Sequence, residues 1–159
     1  MYKSAKLRIK PLIISLLISL VTGFLSGIFI KDSSNFYETI NKPLLAPPGA
    51  VFPVVWSILF ALMGISSYII FISNSPKKKQ AMMVYFIQLI VNFTWPIIFF
   101  NERLFLLSFL WILLLWVLIF IMIILFRRIN KTAGKLQIPY FLWVTFAAYL
   151  NFMTFILNR

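Results

Sequence analysis

The stretch LFLLSFLWILLLWVLIFIMIILF, residues 104–126, decides the fold. It contains no charged residue, and about 20 apolar residues suffice to cross the hydrocarbon core of a bilayer as helix. Ser108 is its only polar interruption, so the segment is apolar all round and reads as lipid-facing scaffold. Trp111 and Trp116 sit well inside it and read as packing or lipid contacts, with no chemistry assigned to them.

Working outward, the break at Asn101-Glu102-Arg103 is short, so the preceding apolar segment, 80–100, is an antiparallel neighbour. On the other side Arg127, Arg128, Lys131 and Lys135 form a basic loop, and Pro139 falls in the first turn of a last helix over 136–157. A turn from Asn74 to Lys79 precedes residue 80, and two more apolar segments occupy 11–30 and 51–73. The first follows a basic arm, as in a signal peptide, but its run exceeds the 7–15 residues usual for such an h-region and is read as a retained span. The expectation is an all-α integral membrane bundle of five transmembrane helices in a single domain, 1–159, with one long connection at 31–50.

Composition supports this and narrows the function. The chain has 159 residues, 62% hydrophobic and 18% aromatic, against roughly 45–50% apolar in a soluble domain. A formal net charge of +12 would ordinarily raise nucleic acid as a partner. Here eleven of the 15 bases lie in the N-terminal arm, at Lys77-Lys78-Lys79 and between Arg127 and Lys135, which is the pattern of the positive-inside rule. Nucleic acid is therefore excluded, the N-terminus is placed in the cytoplasm, and the 31–50 connection and C-terminus are placed on the opposite side. The sequence has neither Cys nor His, which removes thiolate chemistry and the usual metal ligands. Its three acids, Asp32, Glu38 and Glu102, all lie at segment ends, which argues against a proton relay.

Three faces and one loop carry what remains. In the third span Gln88, Asn92, Trp95 and Phe99 recur at steps of four, three and four, and Pro96 removes the N–H that would have bonded the Asn92 carbonyl. Carboxamides at membrane depth need partners, so they act either as interhelical glue or as groups facing a ligand. In the fifth, Trp143, Ala147, Leu150 and Thr154 share a face that reads as core or as an aromatic wall. In the first, Ser19, Gly23 and Gly27 form a small-residue stripe, suited to packing within the bundle or to a dimer seam. In the loop, Pro43, Pro47 and Pro48 stiffen the backbone ahead of Gly49 and predict an ordered lid.

These residues together resemble the TspO/MBR family, the tryptophan-rich sensory and translocator proteins also called peripheral-type benzodiazepine receptors. The resemblance rests on Phe36-Tyr37, Lys42-Pro43, Pro47-Pro48, Pro53-Val54-Val55-Trp56 and Met63-Gly64; on Gln88, Asn92, Trp95 and Phe99-Phe100; and on Pro139-Tyr140, Trp143, Phe146-Ala147 and Leu150-Asn151. It implies a five-helix bundle, commonly dimeric, with a cavity beneath the first loop that takes a protoporphyrin-like or sterol-like molecule. The ligand-binding set it implies is Phe52, Trp56, Gln88, Asn92, Trp95, Tyr140, Trp143, Ala147 and Leu150, under a lid of Lys42, Pro43, Pro47, Pro48 and Gly49. No cofactor is required, porphyrin being a ligand, and no metal site is expected. The expected setting is a bacterial plasma membrane, with membrane lipids and a second copy of the chain as partners.

Regulation or transport of porphyrin is the function expected from this resemblance. Light-dependent porphyrin degradation through Trp56 and Trp143 is the enzymatic alternative, and sterol or lipid translocation another. The chain departs from the family at Phe36 and Leu45, where Trp is frequent, and at Phe152, where Tyr is usual. Two fewer indoles weigh against photochemistry and leave apolar binding intact.

Overall fold

The computed structural model describes residues 8–30 and 33–159, and the described residues form helices and turns without a strand. Lys3, Lys6, Lys31 and Asp32, which entered the charge argument, lie outside the described residues. The helices are α1 (Ile9–Phe29), α2 (Ser33–Thr39), α3 (Val51–Phe71), α4 (Lys78–Pro96), α5 (Phe105–Ile129), α6 (Lys131–Leu136) and α7 (Ile138–Leu157), with a π-helical segment, Ile97–Asn101, continuing α4. Among the described residues five segments are long and apolar enough to span a membrane: α1, α3, α4 with its π segment, α5, and α6 with α7.

The two ends of the bundle are tied by polar contacts. At the end carrying the basic clusters, the Arg8 backbone N–H donates to the Tyr68 hydroxyl at 2.9 Å, which joins the start of α1 to the end of α3. At the other end the Asn101 amide donates to the Phe29 carbonyl at 2.8 Å. The α5 helix runs one turn beyond the predicted 126, because Arg127 and Arg128 favour the negative end of its dipole.

Within lipid, hydrophobicity does not hold helices together; close packing and interhelical hydrogen bonds do. The α1 helix shows this directly, since its buried residues are Ser15, Ser19 and Ser26 while its large aliphatics face outward. The stripe on α1 is spent inside the bundle: a Cβ at Gly23 would overlap the Phe60 ring, and one at Gly64 of α3 would lie 2.7 Å from Ser19 Oγ and 2.9 Å from Leu16 Cα. Gly27 faces open space.

Two expectations are corrected. Seven residues of the 31–50 connection, Ser33–Thr39, are helix where the sequence reading has a lid loop. A seven-residue helix is marginal alone, and this one is anchored by Phe36, which is buried against Phe99, Phe100 and Phe105. Nor is α5 merely scaffold facing lipid. Ile112, Leu115, Ile119, Met122 and Phe126 are buried along one side, and the helix packs between α4 and α7. Trp111 donates to the Val91 carbonyl at 3.1 Å and to Thr94 Oγ1 at 2.9 Å, while Trp116 donates to Thr145 Oγ1 at 2.9 Å.

Pro96 ends the regular ladder of α4, as its missing N–H requires, and the chain continues in the wider π turn. That turn lets the adjacent residues Phe99 and Phe100 both reach Phe36, with ring centroids 6.4 Å and 6.1 Å away.

Candidate ligand site beneath the first loop

The site is assembled where α3, α4 and α7 face one another. Tyr140, fully buried near the start of α7, is its hub. Its hydroxyl accepts from Asn92 Nδ2 at 2.6 Å and donates to Gln88 Oε1 at 2.9 Å. The other end of the Gln88 amide reaches Met63 Sδ at 3.9 Å. The two carboxamides are thus partnered by protein, and their helical spacing of four lets one phenol serve both. Trp56 lies edge-on to Tyr140, with centroids 6.0 Å apart.

Nearer the lid, Phe52 of α3 meets Trp143 of α7 edge to face at 6.0 Å, and Tyr37 of α2 meets Phe52 in the same manner at 5.6 Å. An aromatic series therefore runs from lid to α3 to α7. The α3 and α7 backbones approach each other little, and side chains bridge the seam. Trp143 Nε1 is buried and has no hydrogen-bond partner, which leaves a donor unmade at a cost of about 1–3 kcal/mol. Along the outer side of the seam runs an apolar groove of about 460 Å³, lined by Val55, Ile58, Leu59, Pro139, Leu142, Trp143 and Phe146.

Trp95 belongs to a different cluster. Its indole N–H donates to Asn151 Oδ1 at 3.1 Å, and Ser108 Oγ donates to the same oxygen at 3.1 Å. The Asn151 amide donates in turn to the Ala147 carbonyl at 2.8 Å. Ala147 and Leu150 are both buried on this stretch of α7. Asn151 and Ser108 were not among the expected site residues. The signal was available, because each is the polar exception on its stretch of an apolar span.

The lid is sewn down at three points. Tyr37 donates its hydroxyl to the Pro47 carbonyl at 2.8 Å. Asn41 and Asn158 clamp each other: the Asn41 N–H donates to Asn158 Oδ1 at 2.9 Å, and Asn158 Nδ2 donates to the Asn41 carbonyl at 3.0 Å. Lys42 pairs with Glu38 at 2.6 Å and lies 4.8 Å from the centre of the Tyr37 ring. Burial, and then the neighbouring Glu38 charge, raise the Tyr37 phenol above its ordinary pKa, so it stays a donor at neutral pH. Pro43 is buried, Pro48 accepts from Val51 N–H at 3.0 Å as α3 begins, and Gly49 accepts from Phe52 N–H at 3.3 Å.

Among the described residues no three His, Cys, Asp or Glu side chains gather as metal ligands. The site's chemistry is stacking surface, one free indole donor and a satisfied carboxamide–phenol patch.

Residues 15–157 match the TspO/MBR family model. The chain is 37% identical over 143 residues to the tryptophan-rich protein TspO of Chlorobaculum tepidum, covering 87% of this chain and 90% of that protein. It is 31% identical over 153 residues to the tryptophan-rich protein TspO of Archaeoglobus fulgidus, covering 96% and 99%. It is likewise 31% identical over 134 residues to the translocator protein of Ovis aries, covering 82% and 79%. With five apolar spans, a lidded aromatic seam and matches of this extent, the chain is an integral membrane protein belonging to the TspO/MBR family.

Proposed function

We propose that the protein binds a flat lipophilic ligand of the tetrapyrrole class between α3, α4 and α7 beneath the lid, and so serves in porphyrin regulation or transport. The observation that carries this reading is the unpartnered Trp143 N–H, set in an aromatic wall with Phe52, Trp56 and Tyr140. Such rings stack on a planar macrocycle, and the indole donor fits an acceptor on its edge. Asn92 would supply a second donor once it exchanged Tyr140 for the ligand. The Phe52–Trp143 contact must part for a ligand to enter, and Tyr37 and Asn41 place the lid over that movement. By the distribution of bases, the lid side is assigned to the non-cytoplasmic face of a bacterial plasma membrane, and the working form is a homodimer.

The test is saturable quenching of intrinsic fluorescence by protoporphyrin IX in detergent. Trp143→Phe should weaken binding about fivefold, the loss of roughly one hydrogen bond, and Trp56→Phe with Trp143→Phe should weaken it further. Quenching that never saturates, or an affinity unchanged in the double variant, would refute the assignment.

A second reading, passage of the ligand through the protein, is favoured by the groove on the outer side of Trp143, which connects the seam to the surrounding apolar surface. Uptake of porphyrin into proteoliposomes, compared between wild type and Leu142→Trp, separates the two. Passage predicts slower uptake at equal affinity.

A further inference from the structure

The bases on the lid side of the bundle are few, and two of them converge. Lys42 is engaged by Glu38. Arg103, just before α5, and Arg159, just after α7, form no ion pair among the described residues, and both border one groove of about 470 Å³. The floor of the groove is apolar, with Leu106, Leu107 and Leu110 from α5 and Phe155 from α7. Those three leucines are 43–53% exposed, on a helix that spans the membrane. Glu38 and Glu102 do not line it.

We propose that this groove is a site for an anionic phospholipid, the phosphate held between Arg103 and Arg159 and an acyl chain laid along the leucines. Charge complementarity selects the occupant: two cations stand at a membrane-interface depth, at the mouth of an apolar slot that runs down the spanning helix. A zwitterionic lipid would fill the slot equally well but would bring its own cation to the arginines.

The backbone supports a dedicated role for Arg103. Its φ is 55°, the left-handed region that a long side chain rarely occupies, at a cost of about 1–3 kcal/mol. The fold holds it there with its guanidinium 4.7 Å from the centre of the Phe36 ring. The edge of the guanidinium, its N–H groups, has no acceptor among the described residues. Bidentate donation from such an edge is the geometry that suits a phosphate. The start of α5 also lacks a capping side chain and an acid in its first turn.

The absence of cysteine makes a clean test possible. Leu107→Cys carries one fluorophore in the groove of the full chain, reconstituted in nanodiscs of phosphatidylcholine. Brominated phosphatidylglycerol or brominated phosphatidylcholine is then added at equal mole fraction as quencher. The expected result is preferential quenching by the anionic lipid, by about fivefold per guanidinium. The preference should vanish in R103Q/R159Q, fall about fivefold in R159Q, and persist in R127Q/R128Q, which removes the same charge at the opposite end. If R103Q/R159Q fails to fold, R159Q alone decides. Equal quenching by both lipids, or equal losses in R127Q/R128Q and R103Q/R159Q, would overturn the proposal. Displacement of the lipid by millimolar glycerol phosphate would overturn it in favour of a soluble anion.

Discussion

At the scale of single residues, Tyr140 decides what the third span's carboxamides are for. Helical spacing alone left Gln88 and Asn92 open between glue and ligand contact; the phenol makes them glue in this structure. Removing it frees both. Tyr140→Phe should lower stability by about 1–3 kcal/mol, the cost of leaving buried amides unpaired, seen as a lower apparent melting temperature in detergent. If Asn92 also serves a ligand, protoporphyrin IX should raise the melting temperature of the variant more than that of wild type. An equal rise in both would confine the amide to a structural role. Gln88, Asn92 and Pro96 were legible in the sequence because polar groups are rare within spans. Their partner was not, since Tyr140 lies 48 residues from Asn92 and no local pattern joins them. The contacts that Asn151 makes with Trp95 and Ser108 were hidden for the same reason, as they span 56 and 43 residues.

At the scale of elements, the α1–α3 contact shows how closely small residues govern a membrane bundle. Gly64→Ala places a methyl against the Leu16 backbone, which cannot give way as a flexible side chain would. The expected cost is about 1–3 kcal/mol, measurable by thermal or denaturant unfolding in detergent. Gly27→Ala, which meets nothing, should change stability by less than about 0.5 kcal/mol. An equal effect at both positions would mean that the α1 stripe is used evenly. The spans themselves were legible from length and lack of charge. The buried side of α5 was not, because a helix that is apolar all round offers no polarity contrast to mark which face meets protein. The α2 helix was hidden because its existence depends on Phe36 finding three distant rings.

At the scale of the whole molecule, the basic clusters gather at one end and the lid closes the other. The positive-inside rule then predicts an orientation that labelling can check. Leu44, at the lid's tip and 98% exposed, should react as Leu44→Cys with a membrane-impermeant maleimide in intact cells. Lys79→Cys, in the basic turn, should react only after permeabilisation. The opposite pattern would invert the topology and, with it, the compartment from which the site is reached.

The seam between α3 and α7 has a consequence for how such a protein diversifies. The rings that bridge it, Phe52, Trp56 and Trp143, are only partly buried, whereas the scaffold rests on fully buried residues of α3, α5 and α7 such as Met63, Ile112, Ile119 and Val144. Under the proposed function, substitutions at the seam would therefore reshape what is recognised without disturbing what keeps the helices together. With the proposed ligand at the seam, specificity and stability come under separate control, and a lineage carrying this architecture would change its ligand by trading a few rings while inheriting the bundle unchanged.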